Sequence, residues 1–279
     1  MAEEEAKSPL DVLSSIPFQP LLTALITFQS AESLTKDLPG LFGPSPDYFG
    51  TLINVAFLGF GINQAAGIAG IGKKDYYAEL EDSAVKSFAR EAGEFALKGE
   101  VPTMSKDGRY EVATFAGGCF WGTELHYQRL PGVIDTCVGY TQGAVEKPSY
   151  EQVCSGLTGH TEALQLTFAP EVISYEQLCD KLFNVLGTDA TELNRVGRDA
   201  GTQYRHGVYP NTDAQADAAA RALARCQAKL TTPEKTFKVV TEIKRQTVFW
   251  PAEPKHQRYL QRGGQSAEKL ESEPVRCYG

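Results

Sequence analysis

From residue 110 onward, the hydrophobic and polar positions switch between a two-residue period and a helical period. Short β-type runs are predicted at Glu111–Ala116, Val133–Thr141, Ala163–Phe168, His206–Tyr209 and Phe237–Ile243. Helices are predicted over Cys119–Leu130, over Ser174–Leu186 with a Ser174/Gln177 capping box, and from a Thr212/Gln215 capping box to Leu230. This interleaving favours an α/β (α+β) fold, specifically a two-layer split βαβ sandwich of the ferredoxin-like kind, over a doubly wound sheet.

The pattern before residue 105 is different, and it predicts a mainly helical N-terminal extension. Asp75–Lys98 has apolar residues at helical spacing. Two runs, Val12–Ala31 and Tyr48–Gly72, carry no charge at all. The second has 25 residues, and about 20 apolar residues suffice to cross a bilayer, but glycines and Asn63–Gln64 interrupt it. Two interpretations remain open: a glycine-rich segment packed on its own domain or on a partner, and a membrane-associated segment.

Charge separates the same two regions. The 279 residues carry a net charge of −8, and residues 1–108 hold 15 of the 35 acidic but only 8 of the 27 basic residues. We therefore predict an acidic extension over 1–105, for docking or membrane association, and a second domain over 106–279. An acidic chain without basic clusters is a poor nucleic-acid binder. The start, MAEEEAKSPL, has the features of neither a secretory signal nor a transit peptide.

The candidate chemistry is concentrated where the first predicted strand turns into a helix. Gly117 and Gly118 permit a tight turn there and place Cys119 at the helix N-terminus. Free backbone N–H groups at that position favour a thiolate nucleophile. Phe120 and Trp121 are suited to line an apolar pocket for a small alkyl group. The competing interpretation is an inert cysteine in an aromatic core. The six cysteines and four histidines show no metal-ligand spacing, so no metal site is predicted.

Residues 113–124, ATFAGGCFWGTE, resemble the signature of the A-type peptide methionine sulfoxide reductases. Further matching segments follow in order: Leu130–Val133, Gly139–Thr141, Pro148–Tyr150, Val153–Gly156, Thr158–Glu162, Leu193–Arg195 and Asp199–Arg205. The resemblance covers about Tyr110–Leu260 and the tail Val275–Gly279, which is similar to plant and algal members. It does not extend into residues 1–105.

The resemblance implies a thiol-dependent enzyme, a peptide-methionine (S)-S-oxide reductase that repairs oxidised proteins under oxidative stress. It assigns attack on the sulfoxide sulfur to Cys119 and protonation of the oxygen to Glu162. The remaining implied roles are hydrogen bonding to that oxygen by Tyr150 and Tyr204, holding of the methyl group by Phe120 and Trp121, and a carboxylate near the substrate amide at Asp199. Without the resemblance, Glu162 and Glu124 are interpreted as solvated surface charges.

The resemblance also implies how the enzyme is recycled. Cys277 would resolve the Cys119 sulfenic acid, reached by a tail that swings from Gly263–Gly264. Residues 269–273 lack the additional cysteine of many plant-type members, so direct Cys119–Cys277 pairing is expected. Thioredoxin, or dithiothreitol in the test tube, would reduce that disulfide without any prosthetic cofactor. The plant-like tail suggests the chloroplast, with the cytosol as the alternative.

A second hypothesis belongs to a different class of function. The chain could serve as a reductase-like structural or interaction subunit of a larger, membrane-bound assembly, docked by residues 1–105. The two uncharged runs motivate this hypothesis, and retention of the whole reactive set opposes a purely structural role.

Overall fold

The computed structural model describes residues 67, 75–82, 88–231 and 237–277. The uncharged runs predicted at Val12–Ala31 and Tyr48–Gly72 therefore lie outside the described residues, except for Gly67. Within the described part, no helix is long and apolar enough to cross a bilayer. Asp75–Val153 and Thr158–Gly279 form one compact unit, whereas Cys154–Leu157 belong to another. The boundary predicted between residues 105 and 106 stays a prediction.

A six-stranded mixed sheet organises the compact unit. Its strands are β1 (Glu111–Ala116), β2 (Val133–Thr141), β3 (Thr161–Phe168), β6 (Gly207–Tyr209), β7 (Glu242–Ile243) and β8 (Trp250–Pro251), in the order β7-β6-β1-β3-β2-β8. Strand β3 lies between β1 and β2 and is antiparallel to both, and β6 is antiparallel to β1. This arrangement confirms the predicted split βαβ fold. A separate hairpin pairs β4 (Arg195–Val196) with β5 (Asp199–Ala200).

Helices pack around this sheet. They are α1 (Tyr77–Asp82), α2 (Phe88–Leu97), α3 (Phe120–Gln128), α4 (Tyr150–Cys154), α5 (Tyr175–Leu186), α6 (Asp213–Leu230) and α7 (Tyr259–Arg262). Two 3₁₀ segments, Gly187–Thr191 and Thr202–Tyr204, precede and follow the β4–β5 hairpin. Helix α3 packs against β2 and β3, α2 against β2 and β8, and α5 against α6. The helix predicted over Asp75–Lys98 corresponds to α1 and α2, with residues 83–87 outside the described residues.

The two predicted helix caps differ in the structure. At α5 the capping box is complete, because the Ser174 side chain accepts the Gln177 N–H and the Gln177 side chain accepts the Ser174 N–H. At α6 the Thr212 side chain accepts the Gln215 N–H. The Gln215 side chain instead reaches one residue further and accepts the Asn211 N–H at 2.9 Å. The second capping box is therefore only half formed.

The strand predicted over Phe237–Ile243 is wrong for most of its length. Only Glu242 and Ile243 pair, in parallel with β6. The backbone N–H groups before them form hydrogen bonds outside the sheet. The Val239 N–H donates to the Gln227 side chain and the Val240 N–H donates to the Ala190 carbonyl, both at 2.9 Å. An alternating pattern does not reveal such partners, because they come from residues distant in sequence.

Gly118 illustrates how tightly the turn after β1 is packed, and it supports a first prediction. Its φ is +78°, and an added Cβ would lie 2.6 Å from Cβ of Val196. Gly99 is a matched control, because its φ is +69° and nothing lies within 4 Å of its Cβ position. We expect Gly99→Ala to cost about 1 kcal/mol of unfolding free energy through backbone strain alone. Gly118→Ala should cost about 1–3 kcal/mol more through overpacking. Urea unfolding of the two variants measures this difference, and equal losses would contradict it.

Candidate active site

Cys119 is the N-cap residue of α3, as the sequence predicted, but its acidity is not as predicted. The Trp121 backbone N–H acts on the Cys119 sulfur and favours the thiolate, although the side chain makes no regular capping hydrogen bond. Three stronger effects oppose it. The pKa of Cys119 is raised by its hydrogen bond with Cys277, by burial and by the nearby Glu162. The helix terminus therefore favours the thiolate, as expected, but the other effects outweigh it and the net pKa of Cys119 is raised in this state.

The Cys277 thiol lies beside Cys119, so the structure brings together the two thiols that the resemblance pairs. Their mutual hydrogen bond raises the pKa of Cys119 and lowers that of Cys277, because Cys119 donates and Cys277 accepts. The Gly122 backbone N–H also acts on the Cys277 sulfur and favours its anionic form. The first free amides of α3 are thus directed at the reactive groups, as expected for a helix N-terminus.

Glu162, the second residue of β3, lies against the same helix terminus. Its Oε2 accepts the Phe120 backbone N–H at 3.0 Å, and only 2% of the residue is exposed. Burial is the main effect that raises the pKa of Glu162 to about 8, and Asp199 and Cys277 add to it against the Phe120 hydrogen bond. The carboxyl group is therefore protonated at neutral pH and can act as a general acid. The interpretation of Glu162 as a solvated surface charge is wrong.

Aromatic rings form the apolar wall of the site. Phe120 is 1% exposed and lies 6.5 Å from the Tyr150 ring, centroid to centroid. The Trp121 indole stacks on Tyr259 at 4.1 Å. His256, to which the sequence analysis gave no role, lies 4.6 Å from the Tyr150 ring and 5.5 Å from the Phe120 ring. These rings surround the cysteine with apolar surface, which suits a methyl group better than a charge.

His256 joins this wall as a neutral ring. Its pKa is lowered to about 4, chiefly by burial and then by Lys255. Among the described residues neither His256 nitrogen has a hydrogen-bond partner, and Trp121 Nε1 also lacks one. The nearest acid is Glu253, 3.7 Å from Nε2. The sequence alone gives no signal for His256, because it forms no metal-ligand spacing with another residue.

Asp199 and Tyr204 come from the β4–β5 hairpin and the 3₁₀ segment behind it. Asp199 is close enough to raise the pKa values of Glu162 and Cys277 by charge repulsion. The Thr161 hydroxyl lies 3.0 Å from the Gln203 carbonyl and 2.9 Å from the Arg205 carbonyl, which flank Tyr204. Because Thr161 immediately precedes Glu162, these contacts tie the Tyr204 segment to the strand that carries the acid.

Two further glutamates have supporting positions that the sequence analysis did not anticipate. Glu253 accepts the Tyr150 backbone N–H at 2.8 Å and thereby fixes the start of α4. Glu124 is buried rather than solvated, and it accepts the Thr136 hydroxyl and the Arg258 N–H, each at 2.9 Å. Burial raises the pKa of Glu124 to about 7. Glu124 connects α3 to β2 and to the segment before α7, and its charge acts on the buried Cys137 thiol.

Three of the four remaining cysteines lie in the core, and the fourth, Cys154, is half-buried at the end of α4. Cys137, Cys179 and Cys226 are buried and carry free thiols, as expected for core residues. No group of three or more His, Cys, Asp or Glu residues in the described ranges could hold a metal ion.

Comparison with known proteins identifies the arrangement. The model of the family "Peptide methionine sulfoxide reductase" matches residues 111–277. A rice (Oryza sativa) peptide methionine sulfoxide reductase A2-1 is 49% identical over 169 residues, which are 61% of this chain and 87% of the relative. The chloroplastic A4 enzyme of Arabidopsis thaliana is 48% identical over 174 residues, but the match covers only 65% of its length.

Two solved structures share the fold. Reduced Mxr1 from Saccharomyces cerevisiae is 32% identical, with a TM-score of 0.52 over 61% of this chain and 96% of that one. Methionine sulfoxide reductase A of Corynebacterium diphtheriae is 29% identical, with a TM-score of 0.53 over 63% of this chain and 88% of that one. The family model alone covers more than half of the residues. The chain therefore belongs to the peptide methionine sulfoxide reductase family.

Proposed function

We propose that this protein reduces methionine S-sulfoxide, free or in proteins, to methionine as a peptide-methionine (S)-S-oxide reductase. One observation carries the proposal: a cysteine at a helix N-terminus lies beside a buried, protonated Glu162, whose carboxyl group is held by the first amide of the same helix. A nucleophile and an acid side by side at one helix terminus, next to the Phe120 and Trp121 rings, support this chemistry. Because the reactive set is assembled in one place, an enzyme is favoured over the purely structural alternative.

In the first step, Glu162 donates its proton to the sulfoxide oxygen, which is a poor leaving group until it is protonated. Tyr150 and Tyr204 steady that oxygen with their hydroxyls. Cys119 attacks the sulfur, and its thiol proton passes to the carboxylate that Glu162 leaves behind. The oxygen is transferred to the Cys119 sulfur, methionine leaves and the cysteine becomes a sulfenic acid, with Glu162 protonated again. Phe120 and Trp121 hold the methyl group, since their rings supply the apolar wall.

In the second step, the Cys277 thiol attacks the Cys119 sulfenic acid. A disulfide forms and water leaves, so that two thiols have supplied the two electrons that reduced the sulfoxide. A dithiol reductant then returns both cysteines to the reduced state by thiol–disulfide exchange. We assign this role to thioredoxin, for which dithiothreitol substitutes in the test tube. The chemistry needs no prosthetic group, because thiols provide every electron.

Turnover of separated sulfoxide epimers tests the proposed activity. With dithiothreitol as reductant, we expect the S epimer of a blocked methionine sulfoxide to be converted to methionine, and the R epimer to remain. The selectivity follows from the fixed positions of the acid and of the apolar rings, because the methyl group and the oxygen exchange places between the epimers. Failure to reduce the S epimer would overturn the proposed function.

We propose the chloroplast as the compartment, with oxidised proteins as substrates. The chloroplastic Arabidopsis relative supports this location. Docking of the enzyme to a protein complex or a membrane through residues 1–105 stays a prediction from the uncharged runs. Fractionation of plant cells that express the tagged full chain tests the compartment. A form that starts at Asp75 lacks both uncharged runs and therefore tests docking by them. If the full chain and this form both stay soluble and monomeric, the docking prediction is wrong.

A further inference from the structure

We infer that Gln265 and Gly122 position the Cys277 thiol against Cys119 before any oxidation occurs. This inference rests on the proposed function, and it goes beyond it by naming the residues that set the rate of the resolving step. The tail is bound in the dithiol state, in which the Cys119 and Cys277 thiols form no disulfide. The swinging tail expected from the glycine pair is therefore already docked.

Gln265 fixes the residue immediately before the resolving cysteine. Its side-chain Nε2 donates to the Arg276 carbonyl at 2.7 Å, and its Oε1 accepts the Arg276 N–H at 2.9 Å. One amide side chain thus satisfies both main-chain polar groups of Arg276, as a neighbouring strand would. Gln265 is itself well anchored, because it is 9% exposed and its N–H donates to the Leu260 carbonyl at the end of α7.

The chain between Gln265 and Arg276 is held at the C-terminal end of α3. Arg129 Nε donates to the Ser266 carbonyl at 2.9 Å, and the Leu270 N–H donates to the Arg129 carbonyl at 2.8 Å. Lys269 Nζ donates to the carbonyls of Gln128 and Val133, at 2.7 and 2.8 Å. The cation at the last turn also complements the helix dipole. The tail therefore follows α3 from its C-terminal end back towards Cys119.

Gly122 provides the space that the resolving thiol occupies. The Cys277 sulfur lies 2.5 Å from where a Cβ of residue 122 would be, so any side chain at this position must displace it. A glycine within a helix is otherwise unfavourable relative to alanine. The position of the Cys277 sulfur explains why a glycine occupies this helical position despite that cost.

Docking before oxidation has a kinetic consequence. A thiol already held against its target reacts without first closing the loop and orienting the group, which raises its effective concentration. Gln265 acts through Cys277 and touches neither substrate nor the reacting atoms, so it is a positioning residue. Its loss should slow disulfide formation and leave the preceding methionine-forming step unchanged.

Single-turnover kinetics of the full reduced chain test the inference, with methionine S-sulfoxide and no external reductant. Methionine release reports the first step, and trapping of the sulfenic acid by dimedone competes with the second. For Gln265→Ala we expect unchanged methionine release, about tenfold slower disulfide formation and a matching rise in dimedone adduct. Gln265→Glu retains the acceptor for the Arg276 N–H and should recover part of the rate. Gln261→Ala, in an exposed glutamine four residues earlier, is the matched control and should behave as the wild type.

Gly122→Ala makes the test independent of folding defects. Alanine favours the helix, so the midpoint of thermal unfolding should not fall, whereas disulfide formation should slow as it does in Gln265→Ala. Wild-type rates of disulfide formation in both Gln265→Ala and Gly122→Ala would overturn the inference. Absence of methionine release from the wild type would instead overturn the proposed function, so the two failures are distinguishable.

Discussion

We expect replacement of Cys119 by serine to slow the reduction of methionine S-sulfoxide by about a thousandfold or more. The hydroxyl is a far weaker nucleophile than the thiol, and it cannot take over the oxygen from the substrate sulfur to form a sulfenic acid. The fold should survive, since the Cys119 side chain makes no capping hydrogen bond of regular geometry to α3. Methionine release in a single turnover measures the effect.

Cys226→Ser is the matched control for this prediction. Cys226 lies on α6, is buried and carries a free thiol, and Lys229 is the charged group that acts on it. It should retain wild-type single-turnover rates. If Cys119→Ser still released methionine while Cys226→Ser did not, the assignment of the nucleophile would be wrong.

Replacement of Glu162 by glutamine is expected to slow methionine formation by about a hundredfold to ten-thousandfold, the usual contribution of a general acid. The amide preserves an acceptor for the Phe120 N–H and keeps the size of the side chain, but it has no acidic proton to give. Because the pKa of Glu162 is raised to about 8, the wild-type rate should fall as the pH rises through that value. In Glu162→Gln this decrease should be absent.

The same substitution has a consequence for stability, with a defined sign. The folded-state pKa of Glu162 is raised above its ordinary value of 4.5, so folding favours the protonated form. The resulting stabilisation is complete below pH 4.5 and is lost as the pH rises through about 8. The free energy of unfolding of Glu162→Gln, minus that of the wild type, should therefore be larger at pH 9 than at pH 5.

Glu124→Gln is a control that separates the effect of a buried carboxyl group on stability from the effect of the acid on the reaction rate. Glu124 is equally buried and has a pKa raised to about 7, but its hydrogen-bond partners are Thr136 and Arg258 rather than the helix terminus at Cys119. Its replacement should change stability with the same sign and leave the pH dependence of methionine formation intact. Loss of the alkaline decrease in both variants would contradict the role given to Glu162.

Local sequence patterns predicted the frame of the site. The bounds of β1 and β2 agree with the predicted runs, and Cys119 caps α3 because a glycine pair separates an alternating segment from a helical one. These features depend on neighbours in the chain, so a single sequence contains them. The assignment of Glu162, Tyr150, Tyr204 and Asp199 came from the family resemblance, since no local pattern marks them.

Burial of the polar residues could not be predicted in the same way. Alternation along β3 suggests a polar, solvated face, yet every residue of β3 is buried. The reason is its central place between β1 and β2, where Gln165 finds the Thr114 hydroxyl at 3.1 Å instead of water. Glu162 belongs to the same strand, so its raised pKa is a consequence of strand order.

Tail docking is a second feature that no local pattern contains. Gln265 binds main-chain groups eleven residues away, and main-chain groups carry no sequence signal. The glycine pair before it predicts a bend, and Gly264 does have a φ of +93°. Where the chain goes after that bend depends on carbonyls of α3 that only the folded helix presents.

In the proposed reaction, each turnover removes one oxygen from one methionine sulfoxide and forms one disulfide between Cys119 and Cys277. A single anaerobic turnover of the fully reduced chain with methionine S-sulfoxide, followed by mass-spectrometric mapping of the disulfide, tests it most directly. We expect about one methionine per chain and one disulfide, which joins Cys119 to Cys277. Absence of methionine, or a disulfide that leaves either of these cysteines free, would contradict it.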